Sequence, residues 1–314
     1  MSGKITCLGS FVVDLTCRSE HLPIPGETVA TNYFKMGPGG KGANQATACK
    51  RAGGNITLMT KIGNDLLSKV AIDSFTKEGF NPKYIVKDDN NFTGIALIIV
   101  DKNTSQNSIV VAAGACENIN DNDLELLRPE IETCDIFLTQ LELNIDAIEK
   151  AIDIAYKNNK IIVLNTAPVK EVSDELIGKA TIVTPNEIEA SALTNIKVTD
   201  MSSAREAAKV FFKKGVKQVV ITLGKNGSYV NDQNKEKIIY PINVNTIDTT
   251  GAGDAFTGGL VTALSENCNL FEAVEFATAV AALSTTKMGT APSMPYRNEV
   301  DELLKNKERI NKNE

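Results

Sequence analysis

Histidine occurs once in these 314 residues, as His21. None of the six cysteines (Cys7, Cys17, Cys49, Cys116, Cys134, Cys268) forms a Cys-x-x-Cys pair. A zinc site is therefore not expected, and the cysteines read as reduced, mostly buried thiols of a cytoplasmic protein. A serine–histidine–aspartate hydrolase would need His21, which stands in a Glu-His-Leu-Pro-Ile-Pro loop where a surface role is expected. No apolar run approaches the ~18 residues of a membrane span. The first residues lack the layout of a signal peptide. Long basic runs are missing too, and the net charge is −6. Nucleic acid and anionic membranes are thus poor partners. An anionic substrate would have to be held by local donors.

What is present is a large apolar fraction, 42%, ample for one α/β core. Ile5–Val13 reads as a buried strand ending in Asp14. Ala43–Arg51 reads as a helix, Ile56–Ile62 as a strand and Asn64–Gly79 as a helix. Thr93–Val100 and Ser108–Ala113 form a hairpin with no helix between, an antiparallel excursion from the βα rhythm. From residue 120 the alternation is regular, with helix 145–157 and strands 135–141, 160–165, 181–184 and 218–223. Helices 251–264 and 271–287 and a charged terminal helix close the chain. Polar residues after the strands (Asp14, Glu142, Asn186, Gly224) mark the rim where open α/β sheets bind ligands.

The chain is organised around Asp248-Thr249-Thr250-Gly251-Ala252-Gly253-Asp254-Ala255-Phe256. A glycine pair before an apolar helical run reads as a tight loop opening a helix. The first N–H groups of a helix lack partners and attract anions, phosphate above all. Asp254 stands in that first turn. It either complements the helix dipole or acts as the base for a hydroxyl attacking a phosphoryl group. A helix N-terminus should lower its pKa. The earlier run Gly37-Pro38-Gly39-Gly40-Lys41-Gly42 fits the dinucleotide pattern formally. No buried strand leads into it and no acidic residue follows about 20 residues on, so that reading fails. It is not a Walker loop either, since Gly42 follows Lys41 where Ser or Thr should stand.

Gly39-Gly40-Lys41-Gly42-Ala43-Asn44-Gln45-Ala46 and Asp248–Phe256 together resemble the two signatures of the ribokinase-like carbohydrate kinases. Pro185-Asn186-Glu187-Ile188-Glu189 and Thr222-Leu223-Gly224-Lys225-Asn226-Gly227 match that family's nucleotide-side motifs in order. The likeness runs from about Lys4 to Tyr296. It implies a three-layer α/β fold, a mostly parallel sheet covered by helices. One domain would span 1–314, with a β lid from about 15–36 and 93–113. The implied reaction is ATP-dependent phosphorylation of a pentose, at O5 of ribose. By matching positions, Asp14, Gly40, Lys41, Gly42, Ala43, Asn44 and Glu142 would hold the sugar. Asp254 would take the hydroxyl proton, and the N–H groups of Gly251, Ala252 and Gly253 would hold the transferring phosphoryl. Thr222, Leu223, Gly224, Lys225, Asn226, Gly227 and Thr278, with Asn186 and Gly253, would line the nucleotide site. Glu189 would act on Mg²⁺ through water. Asp248, Thr250, Ser284, Lys287, Gly289 and Ser293 would form a K⁺ site, Lys287 through its carbonyl.

Two further expectations follow. The lid strand Ile95–Val100 is apolar on both faces, so a second subunit should cover one of them. Val12 stands where some relatives carry a polar Asn, which should weaken discrimination between ribose and 2-deoxyribose. A 2-deoxyribose kinase, a hexose or nucleoside kinase of the same family, and a non-catalytic sugar or nucleotide sensor are the alternatives.

Overall fold

The computed structural model describes residues 2–104 and 106–311. The chain opens with β1 (Lys4–Leu8), β2 (Val12–Ser19), β3 (Phe34–Gly39) and α1 (Lys41–Arg51). β4 (Asn55–Gly63), α2 (Ser68–Glu78), β5 (Ile85–Asp88), β6 (Thr93–Asp101) and β7 (Asn107–Gly114) follow. The regular alternation is α3 (Asp121–Thr133), β8 (Ile136–Gln140), α4 (Ile145–Lys157), β9 (Ile161–Asn165), α5 (Asp174–Lys179), β10 (Ile182–Val183), α6 (Glu187–Thr194), α7 (Met201–Lys214) and β11 (Gln218–Thr222). β12 (Ser228–Asn231), β13 (Glu236–Ile239), α8 (Ala252–Ser265), α9 (Leu270–Ser284) and α10 (Arg297–Asn311) complete it.

Nine strands form one sheet in the order β13-β12-β11-β10-β9-β8-β1-β4-β5, parallel from β11 to β5 and antiparallel at β11–β12–β13. Successive strand residues face opposite sides, so both faces must be apolar to be buried. In β8, Ile136 and Leu138 point to one core and Phe137 to the other. Helices α1, α2, α8 and α9 cover the first face, and α3 to α7 the second. Four further strands form a second sheet, β3-β2-β6-β7.

The apolar run 5–13 is not one strand. It breaks at Gly9, and Val12 starts a strand of the second sheet. The break has a steric cause: a Cβ on Gly9 would lie 2.5 Å from Gly42 Cα, and one on Gly42 would lie 2.4 Å from Gly9. The two backbones touch there, which seats the start of α1 on the end of β1. Asp14 consequently belongs to the second sheet, not to the rim of the main one. A strand does precede the glycine-rich run, but β3 is largely exposed and pairs only with β2. The expected hairpin is present, with β6 and β7 antiparallel.

Candidate active site

Gly251 caps α8 with φ +78°, a left-handed conformation that favours glycine. The helix begins at Ala252, one residue after the expected start at 251. Ala252 N–H donates to Thr249 O at 3.2 Å, so of the three amides expected to meet phosphate this one already has a partner. A Cβ on Gly253 would meet nothing within 4 Å, so the backbone there opens onto a cleft of about 230 Å³. Lys41 borders that cleft on one side, Asn186, Glu189 and Thr222 on another, and Gly251–Asp254 on a third.

Asp254 is 9% exposed, and both its oxygens accept hydrogen bonds. Asn44 Nδ2 donates to Oδ2 and Gln45 Nε2 to Oδ1, each at 3.0 Å. The expectation of a lowered pKa is overturned. Burial pushes the carboxyl above its usual range, and Glu142 adds to the rise. Lys41 and the two amide bonds oppose burial without cancelling it. Desolvation of the charged form outweighs the helix end. The result is a stronger base than a dipole-stabilised carboxylate would be.

Glu142 follows β8 and ties down the glycine-rich turn. Its Oε2 accepts from Ser10 Oγ at 2.5 Å and from Lys41 N–H at 2.9 Å. Gly42 N–H donates back to Ser10 Oγ at 3.3 Å, and Ala43 N–H to Ser10 O at 2.9 Å. Gly40 has φ +91°, and a Cβ there would lie 2.8 Å from Phe11 Cα. Burial lowers the pKa of Lys41, but the carboxylates of Asp254, Glu142 and Glu189 more than offset it, so the ammonium stays charged. Asp14 reaches the same region from β2. Burial raises it to about 6, opposed by a bond from Thr290 and reinforced by Glu142 and Asp254.

On the other side, Asn186 caps α6 and forms a capping box with Glu189. Thr222 N–H donates to Pro185 O at 2.9 Å, which joins the end of β11 to that cap. Gly224–Asn226 make one tight turn, closed by Leu223 N–H to Gly227 O at 2.7 Å, with Gly227 at φ +90°. Leu223 to Gly227 do not border the 230 Å³ cleft; they continue from its edge at Thr222. Nor does Thr278 border it: its hydroxyl donates to Val274 O within α9.

Glu189 Oε2 accepts from Asn186 N–H and Thr166 Oγ, and Oε1 from Asn186 Nδ2. Among the described residues no three His, Cys, Asp or Glu side chains cluster as a metal site. This donor set fits an Mg²⁺ that keeps its waters and rests on nucleotide phosphates rather than on the protein. The six residues expected at a K⁺ site lie on segments sewn together. Ile247 and Asp248 N–H donate to Thr285 O, and Gly289 N–H to Asp248 Oδ2 at 3.0 Å. Asp248 Oδ1 accepts from Thr250 N and Oγ, and these bonds hold its pKa low although burial alone would raise it. Ser284 and Ser293 are fully buried, each donating to a carbonyl.

Reading the sequence missed Ser10, Thr290, Gln45, Gln140 and Asn165 as members of the site. Gln45 lies inside a quoted motif, and Gln140 and Asn165 end the strands β8 and β9, the position that had marked Glu142 and Asn186. Their polarity at strand ends was the available signal.

The profile of the pfkB family carbohydrate kinases matches residues 2–297. A ribokinase from Haemophilus influenzae is 41% identical over 304 residues, 97% of this chain and 99% of its own length. A deoxyribokinase from Salmonella typhi is 32% identical over 301 residues, covering 96% and 98%. The solved structure of Arabidopsis thaliana ribokinase complexed with ribose and ATP superposes with a TM-score of 0.89 at 30% identity, over 97% of this chain and 99% of that one.

Proposed function

The chain belongs to the pfkB family of carbohydrate kinases, and on that premise we propose that it transfers the γ-phosphoryl of ATP to O5 of D-ribose. The observation that carries this reading is the Asp254 carboxylate, buried and basic, beside the open backbone at Gly253. A kinase needs little covalent help from its protein; it needs positioning and charge stabilisation. Asp14, Lys41, Asn44 and Glu142, with the backbone of Gly40, Gly42 and Ala43, hold the sugar. Carboxylates and amides suit several adjacent hydroxyls, since each accepts or donates more than once. The primary hydroxyl faces Asp254, which accepts its proton as O5 attacks. The new bond is O5–Pγ; the bond that breaks is the bridge from Pγ to the β-phosphate oxygen, and ADP leaves. Free amides at the start of α8 stabilise the equatorial oxygens. Glu189 and Asn186 would hold Mg²⁺ through water, and the ion would supply charge neutralisation at the phosphates. Thr222 to Gly227, with Thr278 behind, form the nucleotide side. Asp248, Thr250, Ser284, Gly289 and Ser293, with the carbonyl of Lys287, would hold a K⁺ ion, whose charge would favour the loop geometry that presents those amides. The second sheet acts as a lid that excludes water, the competing phosphoryl acceptor, and pairs with a second copy.

A 2-deoxyribose preference is the second reading. Val12 is buried yet belongs to neither apolar core, and it shares a strand face with Asp14. An apolar side chain on the sugar's side favours a substrate that lacks one hydroxyl.

ADP release measured with D-ribose, 2-deoxy-D-ribose, D-fructose and adenosine tests the proposal. The expected outcome is highest kcat/KM on a pentose, with the phosphate found on O5 by NMR. Preference for the hexose or the nucleoside, or no turnover with any of the four, overturns it.

A further inference from the structure

Behind Asp254 lies a file of buried amides that the reaction as described does not use. Gln45 and Gln140 are fully buried, and Asn165 nearly so. Gln45 Nε2 donates to Asp254 Oδ1 at 3.0 Å and to Asn165 Oδ1 at 3.2 Å. Gln140 Nε2 donates to Gln45 Oε1 at 2.8 Å. Asn165 Nδ2 donates to the carbonyl of Thr184 at 3.0 Å.

The orientation of every member follows from that last bond. A backbone carbonyl can only accept, so Asn165 must turn its NH₂ to Thr184 and its oxygen to Gln45. Gln45 must then present its NH₂ to both Asn165 and Asp254, and its oxygen to Gln140. The file even tolerates a buried, unpartnered oxygen on Gln140. Turning that amide over would set its oxygen against Gln45 Oε1. Buried polar groups without partners are rare in folded proteins, so the arrangement answers a demand other than stability.

We infer that Gln45, oriented by Gln140 and Asn165, is a positioning residue that fixes the Asp254 carboxylate as an acceptor at Oδ1, so that the proton taken from the sugar hydroxyl arrives on Oδ2. A proton on Oδ1 would face the Gln45 N–H, donor against donor. Oδ2 accepts from Asn44 Nδ2, but no second bond fixes that amide: its Oδ1 is buried and unpartnered, so it can turn over and accept the new proton. The inference rests on the proposed role of Asp254. The other charged groups facing that carboxylate are Lys41 on α1, Glu142 after β8, Asp14 on β2 and Glu189 on α6. None of them bonds directly to Oδ1.

Gln45→Met keeps the volume and removes the donor. A hydrogen bond to the charged form favours it, so its loss raises the pKa of Asp254. The expected result is a KM for both substrates within about twofold, a kcat down roughly tenfold or more, and the acid limb of the kcat–pH profile moved up by about one unit. Gln45→Glu, the same shape with a like charge, moves that limb further. Added to Asp254→Asn, Gln45→Met costs nothing more, because it acts through that carboxylate. A Gln45→Met enzyme with wild-type kcat and an unmoved acid limb overturns the inference, even if its melting temperature falls. Where Gln45→Met does not fold, Gln140→Met carries the same readouts with a smaller shift, and an unmoved limb there overturns it equally. Should Asp254→Asn itself keep turnover, the proposed function fails instead, which separates the two.

Discussion

Thr290 Oγ stands 3.1 Å from Asp14 Oδ2 and 3.1 Å from the carbonyl of Pro38. One hydroxyl carries one proton, so with Asp14 ionised the two acceptors compete for it. With Asp14 protonated, Asp14 donates to Thr290 and Thr290 to Pro38, and all are paired. The bond from Thr290 to the ionised form opposes the shift, but burial outweighs it and raises Asp14 to about 6.

The first prediction follows from that shift. A folded chain that holds a proton more tightly than the unfolded chain loses stability as pH rises. For Asp14 the loss begins near the ordinary aspartate pKa of about 4 and is complete above about 6. Asp14→Asn is therefore expected to raise the melting temperature at pH 7.5 by roughly 2 °C or more, and to change little at pH 4. Sugar affinity should fall. Thermal scans at the two pH values check this; an equal change at both removes Asp14 as the cause.

Asp254→Asn is expected to fold, to bind sugar and to lose most turnover. Its new NH₂ would face Asn44, whose Oδ1 is buried and unpartnered. That amide can turn over and accept. Activity and sugar binding by calorimetry check the variant, and near-wild-type turnover would count against Asp254 as the base.

The cation prediction concerns the 247–250 turn and its bonds to 285–289. Rates in K⁺ and in Na⁺ at equal ionic strength should differ by several-fold, with K⁺ the faster. Indistinguishable rates would argue against a monovalent site.

The second sheet leaves Phe34, Met36, Leu97, Ile109, Val110 and Val111 exposed. Leu97 and Val110 are register partners, so they add to one patch. Such a patch on a short, open sheet invites pairing. Sedimentation at micromolar concentration should show a dimer, and Val110→Glu should shift it toward monomer. A wild-type protein that sediments only as monomer ends this idea.

Val12→Asn tests the sugar preference. A sugar hydroxyl facing Val12 loses a partner on leaving water, at a cost of about 1–3 kcal/mol. The ratio of kcat/KM for ribose over 2-deoxyribose should therefore rise in Val12→Asn by roughly fivefold or more. An unchanged ratio removes Val12 from specificity.

Much of this was legible because pattern and burial coincide. Ile145–Lys157 shows a clean helical period, and α4 has those bounds. The Gly251–Asp254 turn was legible because one conformation suits that glycine pair before an apolar run. The run 5–13 misled because hydrophobicity does not record which sheet a residue joins; the touching backbones of Gly9 and Gly42 decide that. β5 escaped notice as four residues at a sheet edge. The pKa of Asp254 was read from the local helix end, whereas its cause is burial assembled from residues 41–45 and 142. Gln45, Gln140 and Asn165 become a network only in three dimensions.

The sheet order also sets a timetable for synthesis. β1 leaves the ribosome before both of its sheet neighbours, β4 and β8, between which it lies. One of its edges stays open until Gln140 has been made, and Asp254 joins Asn44 only after another hundred or so residues. Through that interval the nascent chain carries an apolar, half-paired sheet and no reactive centre. A ribosome-bound intermediate would therefore be the species most in need of a chaperone. A chain released before α8 should be inert as well as sticky.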